Sequence, residues 1–426
     1  MKRLFKSIGY LACLLLLAWG GYTSWLHYFV RPYITIIGSA CVADGIGRQS
    51  VELLAELQTQ VTVDFIPTTK TCLRDIPKHI QKKLRNRYKK LGRIILFEDC
   101  IWVPGKPHYQ LLKNINRQNH ICLAYSMFES TEIPKDWVDG LNNYFDAVIV
   151  PDPFHIEIYK QNGVVIPIFM LPLALDLSGF LKEPLKSKCG KPFIFASLGA
   201  GISRKNIVKS IEAFSRVFKN RTDVNFLIHC RYALPEIERD IRKYISTNGL
   251  ENVSYTCKRL GTNEYMEFFR NIDCYVNLSK GEGFSIQPRE AMALGIPVIL
   301  TNNTAQQTIC CSGLVQSVPA PIPMPAERRW GGMLESAQIY GKEFDCRIED
   351  ASQAFLDIYT NYDRFISNNH LARSWAKQYD YSILRAKYLS LVRPKRVILG
   401  AQNEIHDNYI ITDNISLYLK YKNLTY

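Results

Sequence analysis

The chain has 426 residues; an apolar start of about 30 leaves roughly 390 for folded structure, which exceeds one compact core and suits about two domains. Hydrophobic residues make up 47% and charged residues 22%, which excludes a disordered, collagen-like or coiled-coil chain. With 53 Lys and Arg against 39 Asp and Glu the net charge is +14, so acidic partners are expected: phosphates, anionic lipid or nucleic acid.

Lys2, Arg3 and Lys6 precede an uncharged run from Ile8 to Val30, long enough to cross a bilayer. Gly20, Gly21, Thr23 and Ser24 weaken its second half, so a signal peptide competes, but no A-x-A-like cleavage site precedes the next strand. The reading is an uncleaved N-terminal hydrophobic helix that anchors the chain to a membrane. The flanking charge favours a body outside the cytoplasm. The 12 cysteines point the other way: they form no C-x-x-C, and several lie in apolar runs, as reduced core residues of a cytoplasmic domain do.

Strands are predicted at Tyr33–Gly38, Val61–Phe65, Arg93–Phe97, Ile121–Tyr125 and Ala147–Val150. A second set follows at Phe193–Ser197, Asn225–His229, Val253–Tyr255, Cys274–Leu278 and Pro297–Thr301. Helical patterns such as Asn206–Phe218 and Asn263–Arg270 lie between them. Apolar strands alternating with helices indicate an α/β class of two doubly wound, Rossmann-like domains, with the site in the cleft between them. The boundaries expected are 1–32 for the anchor, 33–175 and 176–378 for the two domains, and 379–426 for a returning helix and tail. In the first domain Ile76, Ile80, Leu84, Tyr88 and Leu91 recur at helical spacing through the basic stretch Lys78–Arg93. This reads either as a basic amphipathic helix for an anionic membrane surface or as a solvated face over a core stripe.

Three loops carry chemistry. Ser279–Pro297 (SKGEGFSIQPREAMALGIP) follows a strand, offers Gly281 and Gly283 for close backbone approach, and opens a helix whose first turn can hold an anion, with Pro288 at its first position. Glu282 and Glu290 stand eight positions apart and suit sugar hydroxyls better than phosphate. Arg204 and Lys205 follow another strand and can neutralise a diphosphate. Gly45, Gly47 and Arg48 lie in a glycine-rich loop after the first strand, which by itself is a weak signal.

The segment GEGFSIQPREAMALGIPVI resembles the E-x7-E donor motif of retaining glycosyltransferases of family 4 with the GT-B fold. The resemblance implies that Glu290 holds the ribose of a nucleotide-sugar donor and that Glu282 meets the transferred sugar. It also implies that Gly283, Phe284, Ser285 and Ile286 line the donor site. Ser285 and Gln287 stand where many members carry a glycine and a leucine, and Ala200 replaces the arginine usual after Gly199. Lys205 and Arg204 are implied on the diphosphate, with Gly45 and Gly47 approaching it across the cleft. Tyr125–Pro134 resembles the acceptor side of the same family, where many members place a histidine. Here Glu129 is the nearest polar candidate, with His120 at the strand start, so the catalytic set is Glu282, Lys205 and Glu129.

No D-x-D occurs, so no metal and no cofactor is expected, the nucleotide-sugar being substrate. Partners are a nucleotide-sugar donor, a glycan or lipid-linked acceptor and a membrane surface, and no nucleic acid, for want of interleaved aromatics. A catalytically silent nucleotide-sugar-binding subunit or a nucleotide-sugar epimerase shares the same fold.

Overall fold

The computed structural model describes residues 2–41, 45–69, 71, 73, 76–84, 87–101, 108–113, 115, 119–328, 338–389, 405–406 and 409–410. Two lobes follow a helix α1 (Lys2–Phe29). The first comprises β1 (Ile34–Gly38), α2 (Gly45–Leu57), β2 (Val63–Pro67), α3 (Lys78–Gln81), β3 (Ile94–Glu98), β4 (Ile121–Tyr125), α4 (Lys135–Tyr144), β5 (Ala147–Val150), α5 (Pro153–Gln161) and β6 (Ile168–Met170). After α6 (Ser178–Lys182) the second begins with β7 (Phe193–Gly201), α7 (Ile207–Phe218), β8 (Val224–Ala233), α8 (Pro235–Thr247), β9 (Val253–Cys257), α9 (Thr262–Arg270) and β10 (Cys274–Asn277). It continues with α10 (Ile286–Ala293), β11 (Val298–Asn302), α11 (Gln306–Cys310), β12 (Gln316–Pro319), β13 (Ile322–Arg328), β14 (Gln338–Asp345), α12 (Ile348–Thr360), α13 (Tyr362–Ser367), α14 (Asn369–Lys377) and α15 (Tyr381–Leu389).

Strands β1 to β6 form one parallel sheet in the order β2-β1-β3-β4-β5-β6, and β7 to β12 another in the order β12-β11-β10-β7-β8-β9. Strands β1, β3, β4 and β5 are buried at every position, as helices on both faces of a sheet require. Helix α7 shows the complementary pattern. Its Ile207, Ile211, Phe214 and Phe218 recur at helical spacing and are buried, and the two phenylalanine rings pack on Phe195 of β7.

The chain crosses between the lobes twice, side by side. Leu175 N–H donates to the Tyr379 carbonyl at 2.8 Å, and Tyr381 N–H donates to the Leu175 carbonyl at 2.9 Å. Helix α15 then lies on the first lobe. Its Tyr388 hydroxyl donates to the Pro172 carbonyl at 2.8 Å, and Arg385 pairs with Glu56 of α2 at 3.1 Å.

Several elements differ from expectation. Helix α1 exists, but among the described residues no helix is long and apolar enough to cross a membrane; its second half carries Gly20, Gly21, Thr23, Ser24 and His27. The spanning anchor therefore finds no support among the described residues. The expected basic helix shortens to the four residues of α3. Ile76, Ile80, Leu84 and Tyr88 are nonetheless buried, so the stripe is core, while Arg85 and Asn86 lie outside the described residues. An antiparallel hairpin, β13 with β14, was not expected, nor were the edge strands β6 and β12.

Candidate active site

The order of the second sheet reverses between β7 and β10. Connections leave such a point toward opposite faces, which opens a crevice at the carboxyl ends of the strands. The loop after β7 carries Arg204 and Lys205 there, and the loop after β10 carries Glu282.

These residues form one ion-paired cluster. The Lys205 ammonium donates to Glu282 Oε1. Arg204 Nη1 lies 2.9 Å from Glu282 Oε2 and donates to the Gly281 carbonyl. The other guanidinium nitrogen, Nη2, reaches Glu129 Oε1 of the first lobe at 3.2 Å. Burial pushes the Glu282 carboxyl up, but Lys205 and Arg204 outweigh it and hold it down at about 2. Burial and Arg204 together pull the Lys205 ammonium below the usual lysine range against Glu282. Arg204 and Lys205 thus balance Glu129 and Glu282, so the positive excess of the chain does not reside in this cluster.

Glu290 lies fully buried on α10. Its Oε1 accepts from Arg48 Nη1 of the first lobe at 2.6 Å, and its Oε2 accepts from the Tyr265 hydroxyl of α9. Arg48 Nε also donates to Glu52 Oε1 at 2.8 Å. Burial opposes the Arg48 charge, but Glu290 and Glu52 raise its pKa well above the arginine value. Sequence reasoning reads Arg48 only as a charge in the glycine-rich loop and misses Tyr265 altogether. An aromatic stripe on α9 was the only available signal.

The glycine positions divide. A Cβ on Gly281 would collide with the Glu129 carbonyl, and one on Gly283 would sit 3.1 Å from Met127 Sδ, so both glycines let the lobes meet. Gly45 opens α2 and faces Ile286, where a Cβ would lie 3.4 Å from Cδ1. Gly47 instead packs on the backbone of Cys41, which a Cβ would meet at 2.5 Å. It is a packing residue of its own lobe, and Val42 to Asp44 of that loop lie outside the described residues.

Helix α10 starts at Ile286, and Ser285 precedes it with φ 65°. Pro288 is therefore third in the helix rather than first, still within the turn whose N–H groups have no intrahelical acceptor. The left-handed Ser285 adopts the conformation that glycine takes at least cost. Phe284 does not line the cleft with its ring, which is buried under the Arg289 guanidinium at 3.8 Å and edge-on to Tyr379. His120 sits at the far end of β4, its Nδ1 2.6 Å from the Gly92 carbonyl, and is not part of the cluster. Among the described residues no group of three His, Cys, Asp or Glu could hold a metal ion.

Residues 182–316 match the family model described as "Glycosyl transferases group 1", the stretch that holds Lys205, Glu282 and Glu290. A protein of Sulfolobus islandicus rod-shaped virus 1, described as "Uncharacterized protein 356", is 22% identical over 310 residues, which is 68% of this chain and 82% of that one. Among solved structures, a glycosyltransferase from Rickettsia africae ESF-5 has a TM-score of 0.62 at 15% identity, over 85% of this chain and 99% of that one. S. aureus TarM, solved with fondaparinux, alpha-GlcNAc-glycerol and UDP, gives 0.51 at 18% identity over 70% of this chain. This chain spans 55% of TarM. The fold is GT-B, and the resemblance read from the E-x7-E segment agrees with the family match.

Proposed function

We propose that this chain, whose second lobe carries the group 1 glycosyl transferase segment, moves a sugar from a nucleoside-diphosphate sugar to a glycan or lipid-linked acceptor. It does so with retention at the anomeric carbon and without a metal ion. The observation that supports this best is the meeting of Lys205, Arg204 and Glu282 at the reversal point of the second sheet, opposite Glu129, with Glu290 on the helix that follows the Glu282 loop.

In this reading the bond from the anomeric carbon to the diphosphate oxygen breaks, and its electron pair leaves on the diphosphate. Lys205 and Arg204 exchange part of their pairing with Glu282 for that developing charge. Glu282, freed toward the cleft, accepts from hydroxyls of the transferred sugar. The acceptor oxygen bonds to the same face, and its proton passes to a diphosphate oxygen, so no protein nucleophile is needed. Apposition of the lobes excludes water.

The test is a thermal-shift and hydrolysis screen over nucleotide-sugars with the full chain and with Lys205→Ala and Glu290→Ala. Both variants are expected to lose donor binding, and turnover is expected to fall about 100-fold or more. Unchanged donor binding in both contradicts the assignment, and turnover of donor into its epimer without acceptor would identify an epimerase.

The same reading places the chain against lipid. Leu14 to Leu17, Trp19, Trp25 and Phe29 of α1 are exposed, and a basic segment meets the end of this helix. Lys89 N–H donates to the His27 carbonyl at 2.8 Å, and Arg31 Nε donates to the Leu91 carbonyl at 3.0 Å. Uncovered apolar surface beside Lys89, Lys90 and Arg31 fits partial insertion into an anionic lipid surface. Co-sedimentation with phosphatidylglycerol vesicles is expected to be lost on deletion of residues 2–29; retained binding would remove this part.

A further inference from the structure

A carboxylate offers about four acceptor positions on its two oxygens. At Glu290 one position on each oxygen is filled by the protein: Arg48 takes Oε1 at 2.6 Å, and the Tyr265 hydroxyl takes Oε2. One position on each oxygen remains, which is the number and spacing that a vicinal diol requires. We propose that Arg48 and Tyr265 are positioning residues that aim these two free positions of Glu290 at the 2′- and 3′-hydroxyls of the donor's ribose. Arg48 thereby makes ribose recognition depend on apposition of the lobes. The inference rests on the donor reading above and adds to it the two residues that orient the ribose contact.

The geometry leaves little freedom for another arrangement. The Glu290 side chain is fully buried and that of Arg48 is 16% exposed. The guanidinium is held at two points, because its Nε is spent on Glu52 Oε1 at 2.8 Å while Nη1 reaches Glu290. Glu52 lies one turn along the same helix, so the fork is fixed to α2 and moves with the first lobe. Tyr265 is fixed on the second lobe, its ring packed on Phe269 and Phe180. Removing Arg48 leaves a buried carboxylate with one oxygen unsatisfied and its orientation held by Tyr265 alone. Because the Arg48 contact joins α2 to α10, it exists only while the lobes are apposed. Glu290 is fully buried in this state, so the ribose enters with the lobes parted and Glu290 takes this orientation as they close on it.

The experiment compares ribo- with 2′-deoxyribonucleotides. UDP, GDP, ADP and CDP are screened by thermal shift on the full chain, and the tightest is titrated calorimetrically beside its 2′-deoxy form. Wild type, Arg48→Gln, Arg48→Lys and Tyr265→Phe are measured. Wild type is expected to prefer the ribo form by about tenfold or more, the value of one hydrogen bond to a charged group. Arg48→Gln is expected to keep binding of the deoxy form while the preference shrinks to about threefold or less. Arg48→Lys is expected to restore part of it. A lost contact of purely structural weight would weaken both nucleotides equally and leave the ratio unchanged. An unchanged ratio in Arg48→Gln overturns the positioning role and leaves the donor reading standing. No preference in wild type, or no binding of any of the four, overturns both. If Arg48→Gln fails to fold by circular dichroism, Tyr265→Phe decides by the same ratio.

Discussion

The two lobes bring a carboxyl to the same topological position and treat it in opposite ways. In the second sheet the order reverses between β7 and β10, and Glu282 follows β10 between Lys205 and Arg204, held ionised. In the first sheet the order reverses between β1 and β3, and Glu98 ends β3 there. Glu98 is 1% exposed, both its oxygens lack a well-formed hydrogen bond, and burial pushes its carboxyl up to about 8 while the nearby Ser50 hydroxyl pulls the other way. One reversal point presents a charged, paired acid and the other encloses a neutral one. Topology supplies the crevice, but cations on the flanking loops decide whether charge is handled in it. The first lobe's own cation, Arg48, is turned across the cleft to Glu290 instead.

The sharpest way to break the comparison is Gly281→Ala. Its Cβ would press on the Glu129 carbonyl and pry the first lobe away from Arg204. Transfer is expected to fall about 100-fold in kcat/KM, the effect of an ångström-scale misplacement, while nucleotide binding to the second lobe changes far less. Equal kcat/KM for variant and wild type would show that apposition of Glu129 is irrelevant to transfer.

The pH dependence of stability separates the two acids next. Glu282 has a carboxyl lowered from 4.5 to about 2, so its contribution is present above pH 4.5 and is lost as pH falls toward 2. Glu98 has a carboxyl raised from 4.5 to about 8, so its contribution is present below pH 4.5 and is lost as pH rises through 8. Denaturant unfolding between pH 5 and 8 is expected to show wild type losing stability with rising pH relative to Glu98→Gln, by at most about 1.4 kcal/mol per pH unit. Parallel profiles would mean that Glu98 titrates normally. The smallest effect belongs to Ser285→Gly. Relief of the left-handed backbone at φ 65° is expected to raise unfolding free energy by about 1 kcal/mol, and a drop would assign that much to the Ser285 hydroxyl.

The central strands of both lobes were legible in sequence: β1 to β5 and β7 to β11 fall within a few residues of the expected bounds, because each holds an apolar run closed by a turn. The loop residues that converge were also readable, since their spacing lies within single segments. Their partners were not. Arg48 and Glu290 are 242 positions apart, and no periodicity reports such a pair.

In the first lobe the stripe of Ile76, Ile80, Leu84 and Tyr88 identified core residues correctly and the backbone wrongly. The N–H groups that a helix would have spent internally go elsewhere: Arg87 donates to Asp64 Oδ1 at 2.8 Å and Gly92 to Thr35 Oγ1 at 2.8 Å. The hairpin was hidden by Pro323 and Pro325, which argue against a strand except at an unpaired edge. Pro288 misled in the same local way, since proline is accepted anywhere in the first helical turn and not at one position only.

The paired crossings at Leu175 and Tyr379–Tyr381 bear on how a substrate could enter. Two tethers bonded to each other act as a single pin, about which the halves can swing, whereas twisting or sliding would tear the backbone bonds at the pin. Entry and exit by such a swing require the contacts that join the two sides to part, including those of the β13–β14 hairpin with Ser130 and Thr131.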